Sequence, residues 1–280
     1  MRVMVLGGNG FIGRHLVRAL EGRGDTVSVM SLRDPGAAAA ATAGHDAVVN
    51  LAGASVSERW TAAQKTAIAE SRIDLPRAYL AALGTREAKP SAYISASAIG
   101  YYGTSATATF TESSPPGDDF LARVCVGWET EARRAEALGM RVALVRTGLV
   151  LGTDGGALAK LLPLFRLGLG GPIGSGMQWY SWIHIDDLIG IYLLALDGAS
   201  GPLNGTAPAP VTNAAFTKAL GAAVHRPAFF PVPPFAIGLL LGEGSIVVVE
   251  GQRVLPEATH ERGYAFLYPT LGGALEALVA

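Results

Sequence analysis

The chain has 280 residues, 50% of them hydrophobic, with 22 basic and 23 acidic side chains and a formal net charge of −1. That balance describes a soluble globular protein with a large core, built as one big domain or as one domain with a smaller lobe. It lacks the basic stripe that nucleic acid or an anionic membrane would call for, and the single cysteine, Cys125, excludes an intramolecular disulfide framework and a cysteine-cluster metal site.

The predicted elements start with an apolar strand at Arg2–Leu6, which runs into a glycine-punctuated turn and then into helical spacing over Arg14–Leu20. A strand, turn and helix in this order aim free backbone N–H groups outward, and with the positive end of the helix dipole they attract phosphate. Gly7 and Gly10 permit a tight bend and close approach of a pyrophosphate, while Gly13 lets the helix lie against the strand. Gly8-Asn9-Gly10-Phe11-Ile12-Gly13 also satisfies the G-x-G-x-x-G spacing, so the first glycine is Gly7 or Gly8. The expected dinucleotide contacts are Gly7, Asn9, Gly10, Phe11, Ile12 and Gly13; the competing reading is a glycine turn with a purely structural role.

A second strand, Val27–Ser31, leads to Leu32-Arg33-Asp34, about 20 positions past the glycines, where this motif chooses between a ribose hydroxyl and a 2′-phosphate. Arg33 offers a guanidinium fork to the phosphate, whereas Asp34 would accept from the ribose diol. Arg33 stands nearer the strand end, which favours NADP over NAD. Alternatively the two residues are an exposed turn pair before Pro35. Pro35–Ala43 reads as a short alanine-rich helix. The third strand, Ala47–Leu51, is followed by small residues, and Leu51, Ala52 and Gly53 are expected to lie along the adenosine half of the cofactor.

Thr61–Leu83 is helical, with Pro76 marking a kink or a break. Strands at Ala92–Ser95 and Arg141–Val145 flank a helix at about Asp119–Leu138, and this alternation implies a parallel, doubly wound α/β sheet. After Val145, Gly, Pro and aromatic residues crowd Gly148–Trp182, the expected start of a smaller substrate-facing lobe. Asp186–Asp197 reads as a helix with Asp186 as N-cap or first-turn acid. The expected organisation is a nucleotide-binding domain over 1–150, rejoined by segments around 179–205, and a lobe made mostly from 151–280. The apolar run Phe235–Leu241 is too short to span a bilayer, and the chain opens on a strand in place of a secretory leader, so a cytoplasmic protein without a membrane partner is expected.

Gly7–Gly13, Asp46–Gly53, Arg59–Thr61, Ser71-Arg72, Ser95–Gly103, Trp128-Glu129, Arg146–Gly148, Ile183–Asp187 and Gly251–Arg253 run nearly end to end. Together they resemble the extended short-chain dehydrogenase/reductase superfamily, and more closely its atypical, epimerase-like branch with an additional C-terminal domain, here at about 227–280. The resemblance implies a Rossmann-type fold and an NADP-binding epimerase, dehydratase or reductase, in a superfamily whose substrates include nucleotide sugars. It also adds Ser95, Thr147 and Gly148 to the expected cofactor contacts.

The superfamily's usual engine is a Tyr-x-x-x-Lys pair on the helix after the fourth strand, where the lysine cation lowers the tyrosine pKa for proton transfer. The helix at Asp119–Leu138 contains neither residue type; Leu121 and Cys125, or Arg123 and Gly127, stand at the two positions. Ser97 remains in register and could hydrogen-bond a substrate oxygen. Tyr101 and Tyr102 could serve as acid or base, or pack the lip of the cleft. Glu129 is either a carboxyl raised by desolvation or a helix acid facing Arg133.

Trp60, Arg72, Cys125, Arg146, Gln178 and His184 complete the expected substrate-facing set, with the arginines suited to an anionic or sugar-like molecule. Each has a bland alternative: core or interface for Trp60, a buried filler for Cys125, a structural junction for His184, and local pairing for the arginines. A lone histidine beside acids lacks a zinc ligand set, so no metal is expected. The overall expectation is an NADP-binding oxidoreductase or epimerase-like protein acting on a small polar molecule, as a monomer or homodimer. The alternative is a regulator or redox sensor that binds NADP without turnover.

Overall fold

A computed structural model describes residues 1–279. Its first half alternates strand and helix: β1 (Arg2–Leu6), α1 (Phe11–Gly22), β2 (Thr26–Met30), α2 (Pro35–Ala41), β3 (Ala47–Asn50), α3 (Ala62–Arg72), α4 (Asp74–Gly84) and β4 (Ala92–Ala98). A 3-10 turn at Ile99–Tyr102 leads to β5 (Thr109–Phe110), α5 (Phe120–Arg133) and β6 (Arg141–Thr147). Then come β7 (Leu149–Leu151), α6 (Gly156–Arg166), β8 (Trp179–Tyr180), β9 (Trp182–His184), α7 (Ile185–Leu196) and β10 (Gly201–Gly205). The chain finishes with β11 (Val211–Thr212), α8 (Asn213–Ala223), α9 (Pro234–Leu241), α10 (Ile246–Val249), β12 (Arg253–Val254), α11 (Glu257–Glu261) and α12 (Leu271–Val279).

Six strands form one parallel sheet in the order β10-β6-β4-β3-β1-β2. Val3–Leu6 and Ala47–Val49 are fully buried, as strands covered on both faces must be. Leu16 and Leu20 of α1, with Leu188, Ile191 and Tyr192 of α7, cover one face. Ala38 and Ala39 of α2, Tyr79, Leu80 and Leu83 of α4, and Ala132 of α5 cover the other. A separate core, built from Leu158 and Phe165 of α6, Phe216 and Leu220 of α8, and Leu271 and Leu275 of α12, closes the C-terminal lobe around Trp182.

The expected helix Thr61–Leu83 is two helices, α3 and α4, separated at Ile73 (φ −112°, ψ −61°). The break falls before Pro76 because a proline ring collides with the carbonyl four residues back, here that of Arg72; Pro76 then sits in the first turn of α4, where its missing N–H matters least. The helix expected to reach Leu138 stops at Arg133 and ends as a 3-10 turn closed by left-handed Gly139. At α7 the cap is His184, whose Nδ1 accepts from the Asp186 N–H, so Asp186 is a first-turn acid. Asp187, fully buried, accepts from the Tyr264 hydroxyl and from the backbone N–H groups of Leu267 and Tyr268, which ties the C-terminal segment to the sheet. Among the described residues no helix is long and apolar enough to cross a membrane.

Candidate functional site

The chain builds β2 on one side of β1 and then returns to place β3 on the other. Ligands bind at the carboxyl ends of strands where the winding reverses in this way. Here Gly7 and Ala52 face each other: Gly7 has φ +83°, and a Cβ on it would stand 2.9 Å from the Ala52 nitrogen. A Cβ on Gly13 would stand 2.5 Å from the Gly7 carbonyl oxygen, so α1 lies directly on the turn. Gly10 is the N-cap of α1 and supplies no side chain, and no acid occupies the first turn. The Phe11, Ile12 and Gly13 N–H groups thus have no intrahelical partner and form a cradle that fits a dinucleotide pyrophosphate.

The Phe11 ring packs against Gly152, Gly155 and Gly156, and the Asn9 carbonyl accepts from Arg14 at 3.3 Å. Arg14 also reaches the Asp154 carbonyl at 3.4 Å, and His15 Nε2 lies 3.0 Å from Asp154 Oδ1, which holds the Asp154 carboxyl below the usual range. The 152–156 loop is thereby fastened over the start of α1. At the end of β2, Asp34 accepts from the Ala37 N–H at 2.9 Å as the cap of α2. Arg33 is exposed, and its side chain makes no hydrogen bond or ion pair among the described residues. The capping bond therefore engages the competing acid and leaves the guanidinium free. Leu51 donates to the Leu6 carbonyl at 2.8 Å and Ala52 to Asn50 Oδ1 at 3.1 Å, which sets Leu51–Gly53 beside the glycine turn.

Two expected cofactor contacts face elsewhere. Ser95 is fully buried within β4 and donates its hydroxyl to the Ala96 carbonyl. The space beside Gly148 is filled by the Ser181 carbonyl and Thr206, so that glycine serves the packing of β6 against the lobe. Thr147 ends β6, half-buried.

Beyond β4 lies a buried polar cluster. Ser97 donates to Glu129 Oε1 at 2.8 Å, and Arg146 grips the same carboxylate through Nε (2.7 Å) and Nη2 (2.8 Å). Glu129 is 5% and Arg146 3% exposed. Arg146 Nη1 donates to the Tyr102 hydroxyl at 3.0 Å, and that hydroxyl donates to Asn204 Oδ1 at 2.7 Å. Burial works against the charge of Arg146, but Glu129 and Tyr102 more than offset it and the guanidinium holds its proton above the usual arginine range. Burial pushes the Tyr102 phenol up to about 12. Glu129 thus pairs with Arg146 and not with Arg133, which lies 3.7 Å from Glu136.

The hydroxyls of Ser97 and Tyr102 are engaged inside this cluster, while Tyr101 is half-buried with its ring over the Arg146 guanidinium at 3.5 Å. Its hydroxyl has no partner among the described residues. Sequence reasoning missed Glu112, which binds Asn204 N (2.9 Å), Ala258 N (3.1 Å) and Thr259 (3.3 Å) and extends the cluster into the C-terminal segment.

Of the two α5 pairs, Leu121 and Cys125 face the end of β4, both packing on Gly100, whereas Gly127 packs on Ile73. Burial raises the Cys125 thiol to about 12, the state of a helical filler. Arg72 lies at the cleft floor with its guanidinium beside Gly53 and 5.0 Å from the Trp128 ring. Among the described residues it bonds only the Ala54 and Ile68 carbonyls and Ser71, with no carboxylate, and burial lowers its pKa. The buried Trp128 Nε1 has no hydrogen-bond partner among the described residues.

Trp60 is buried against Phe120 and donates to the Val56 carbonyl, joining the loop after β3 to Gly242. Gln178 is engaged by the Ile173 carbonyl at 3.1 Å, and His184 is stacked on Tyr268 at 3.8 Å with burial lowering its pKa. These three hold the lobe together and do not join Arg72 and Tyr101. Among the described residues no group of three His, Cys, Asp or Glu could hold a metal.

The model of the NAD dependent epimerase/dehydratase family matches residues 3–206, and that of a domain of unknown function, DUF1731, matches 232–278. The chain belongs to the NAD dependent epimerase/dehydratase family. It is 44% identical to the chloroplastic homolog of epimerase family protein SDR39U1 from Arabidopsis thaliana, over all of this chain and 87% of that protein. It is 41% identical to the human SDR39U1 over the full length of both. The crystal structure of human SDR39U1 (isoform 2) with NADPH superposes with a TM-score of 0.91 at 38% identity, covering 100% of this chain and 99% of that one. A nucleoside-diphosphate sugar epimerase from Corynebacterium glutamicum gives a TM-score of 0.81 at 34% identity, covering 100% of this chain and 58% of that one.

Proposed function

We propose that this family member is an NADPH-dependent epimerase-like oxidoreductase acting on a small, polar, anionic substrate, with nucleotide sugars the first class to test. The observation that carries the reading is the crevice at the winding reversal, where α1 starts uncapped, Asp34 is engaged as a helix cap and Arg33 is free. NADPH binding in the SDR39U1 crystal structure supports it. The Phe11–Gly13 amides would hold the pyrophosphate, Arg33 the 2′-phosphate, and Leu51–Gly53 the adenosine half. Bound there, NADPH supplies a hydride.

Arg72 offers its free donors to an anionic group of the substrate. Tyr101, its ring oriented by the guanidinium beneath it, donates a proton to the substrate oxygen. Ser97, Glu129, Arg146 and Tyr102 hold the end of β4 and the tyrosine turn in place. A regulator that binds NADPH without turnover is the second reading, favoured by the apolar Leu121 and Cys125 where a catalytic pair would stand.

Calorimetry with NADPH and NADH tests the cofactor. Arg33→Ala is expected to weaken NADPH about tenfold or more, roughly 1.4 kcal/mol, and to leave NADH unchanged. Equal affinities for both dinucleotides in the wild type would remove the role of Arg33. Nicotinamide absorbance with a panel of sugar nucleotides, aldehydes and ketones tests turnover: loss in Tyr101→Phe supports the enzyme, and a silent panel beside tight NADPH binding supports the regulator.

A further inference from the structure

The segment Pro234-Phe-Ala-Ile-Gly-Leu-Leu-Leu241 forms α9, a helix apolar on every side with none of its residues buried. Phe235, Leu239 and Leu240 are 71%, 70% and 69% exposed. The chain just before it runs beside the end of α6: Phe230 donates to the Gly170 carbonyl at 3.2 Å and Val232 to that of Pro172 at 2.8 Å. This sets exposed Phe229 and Phe230 next to exposed Leu167 and Leu169. A monomer in water rarely leaves so many large apolar side chains uncovered on one face.

Charge identifies what covers it. Residues 155–185 and 198–242 contain no acidic side chain, and their charged residues are Lys160, Arg166, Lys218 and Arg226. Arg226 Nε donates to the Arg166 carbonyl (3.1 Å), Arg59 Nη1 to the Leu239 carbonyl (2.6 Å) and Lys160 Nζ to Ser57 (3.1 Å), which fixes these cations around the apolar face. Of the acids beside this rim, Glu243 is paired with Lys65 at 2.7 Å, Glu276 shares a hollow with Arg166, and Glu58 is a single exposed acid next to Arg59. The net charge of −1, which alone argues against an anionic membrane, averages over this segregation. A second copy of the chain would set like charges against each other. A bilayer with anionic headgroups complements the rim and accepts the Phe and Leu side chains.

We propose that α9, the 229–232 segment and the end of α6 form a peripheral docking face for an anionic lipid surface, with Phe229, Phe230, Phe235, Leu239 and Leu240 entering the headgroup layer. Flotation of the full chain tests this, with phosphatidylcholine vesicles and the same vesicles containing about one third phosphatidylglycerol. Retention on the anionic vesicles, its release by added salt, and little retention on the neutral ones are expected.

The triple variant Phe235→Ser, Leu239→Ser, Leu240→Ser, and separately Arg166→Glu with Arg226→Glu, should each lower retention about tenfold while keeping wild-type NADPH affinity and melting temperature. Absence of retention on anionic vesicles would overturn the proposal, as would equal retention on neutral ones. A dimer in sedimentation that the triple variant splits into monomers would also overturn it, assigning the face to a second copy.

Discussion

Replacing Glu129 with glutamine keeps the shape of the side chain and removes the one carboxylate that Arg146 bonds among the described residues. The guanidinium is 3% exposed and loses its countercharge and one of the two oxygens of its bidentate grip, at 2.7 and 2.8 Å, because a glutamine amide keeps a single acceptor oxygen while the arginine stays protonated. Stranding a buried cation in this way costs about 3–5 kcal/mol, against a total stability of roughly 5–15 kcal/mol for a folded protein. At roughly 2–4 °C per kcal/mol, Glu129→Gln should melt about 6–20 °C below the wild type. Ser97→Ala removes one hydrogen bond from the same carboxylate and should cost only about 1 kcal/mol. Changing Glu129 and Arg146 together to methionine should restore most of the loss, because the pair's desolvation is relieved with its attraction. Denaturant melts of the four proteins measure this, with NADPH titration to show that the crevice is intact. A Glu129→Gln variant within about 1 kcal/mol of wild type would refute the claim that the ion pair is closed to water.

Gly13→Ala places a Cβ 2.5 Å from the Gly7 oxygen, so α1 must retreat by about 0.9 Å to reach a 3.4 Å contact. The expected loss is about 1–3 kcal/mol, with NADPH affinity down about tenfold; a variant that melts and binds like wild type would show that the turn relaxes freely. His184 titrates below its usual 6.5 because it is buried, with Asp186 and Asp187 only partly compensating. The unfolded chain takes up a proton that the folded one resists, so this contribution is complete above about pH 6.5 and is lost as pH falls through the depressed folded value. His184→Asn keeps a cap on α7 and should flatten the pH slope of urea melts below about pH 6.5; identical slopes there would contradict the assignment. Asp187→Asn can satisfy at most part of a site that accepts from Tyr264 (3.0 Å), Leu267 (2.7 Å) and Tyr268 (2.9 Å). Its expected cost is about 2–4 kcal/mol, and limited proteolysis should cut the C-terminal segment faster; an unchanged cleavage pattern would show that other contacts anchor it.

The parallel sheet is legible in the sequence because strands covered on both faces read as unbroken apolar runs, as Val3–Leu6 and Ala47–Val49 do. The glycine turn is legible for a related reason: close approach of Gly7 to Ala52 and of Gly13 to Gly7 leaves no room for a side chain. The roles of Ser97 and Tyr102 are not, because they depend on Glu129, Arg146 and Asn204, which converge only through strand register. A clue does exist at Arg146, a charged residue within the apolar run of β6 that must find a buried acid. Glu112 carries no local sign, since its partners Asn204 and Thr259 come from a distant strand and helix.

The edge strand β10 pairs with β6 although β7, α6, β8, β9 and α7 come between them, so about fifty residues separate neighbours in one sheet. During synthesis at about 5–20 residues per second, an emerging chain waits roughly 3–10 s with the outer edge of β6 bare. That interval is a window for illicit strand pairing on the ribosome. A gene fragment ending near residue 150 would make the vulnerability permanent, and its product should aggregate where the uncut polypeptide does not.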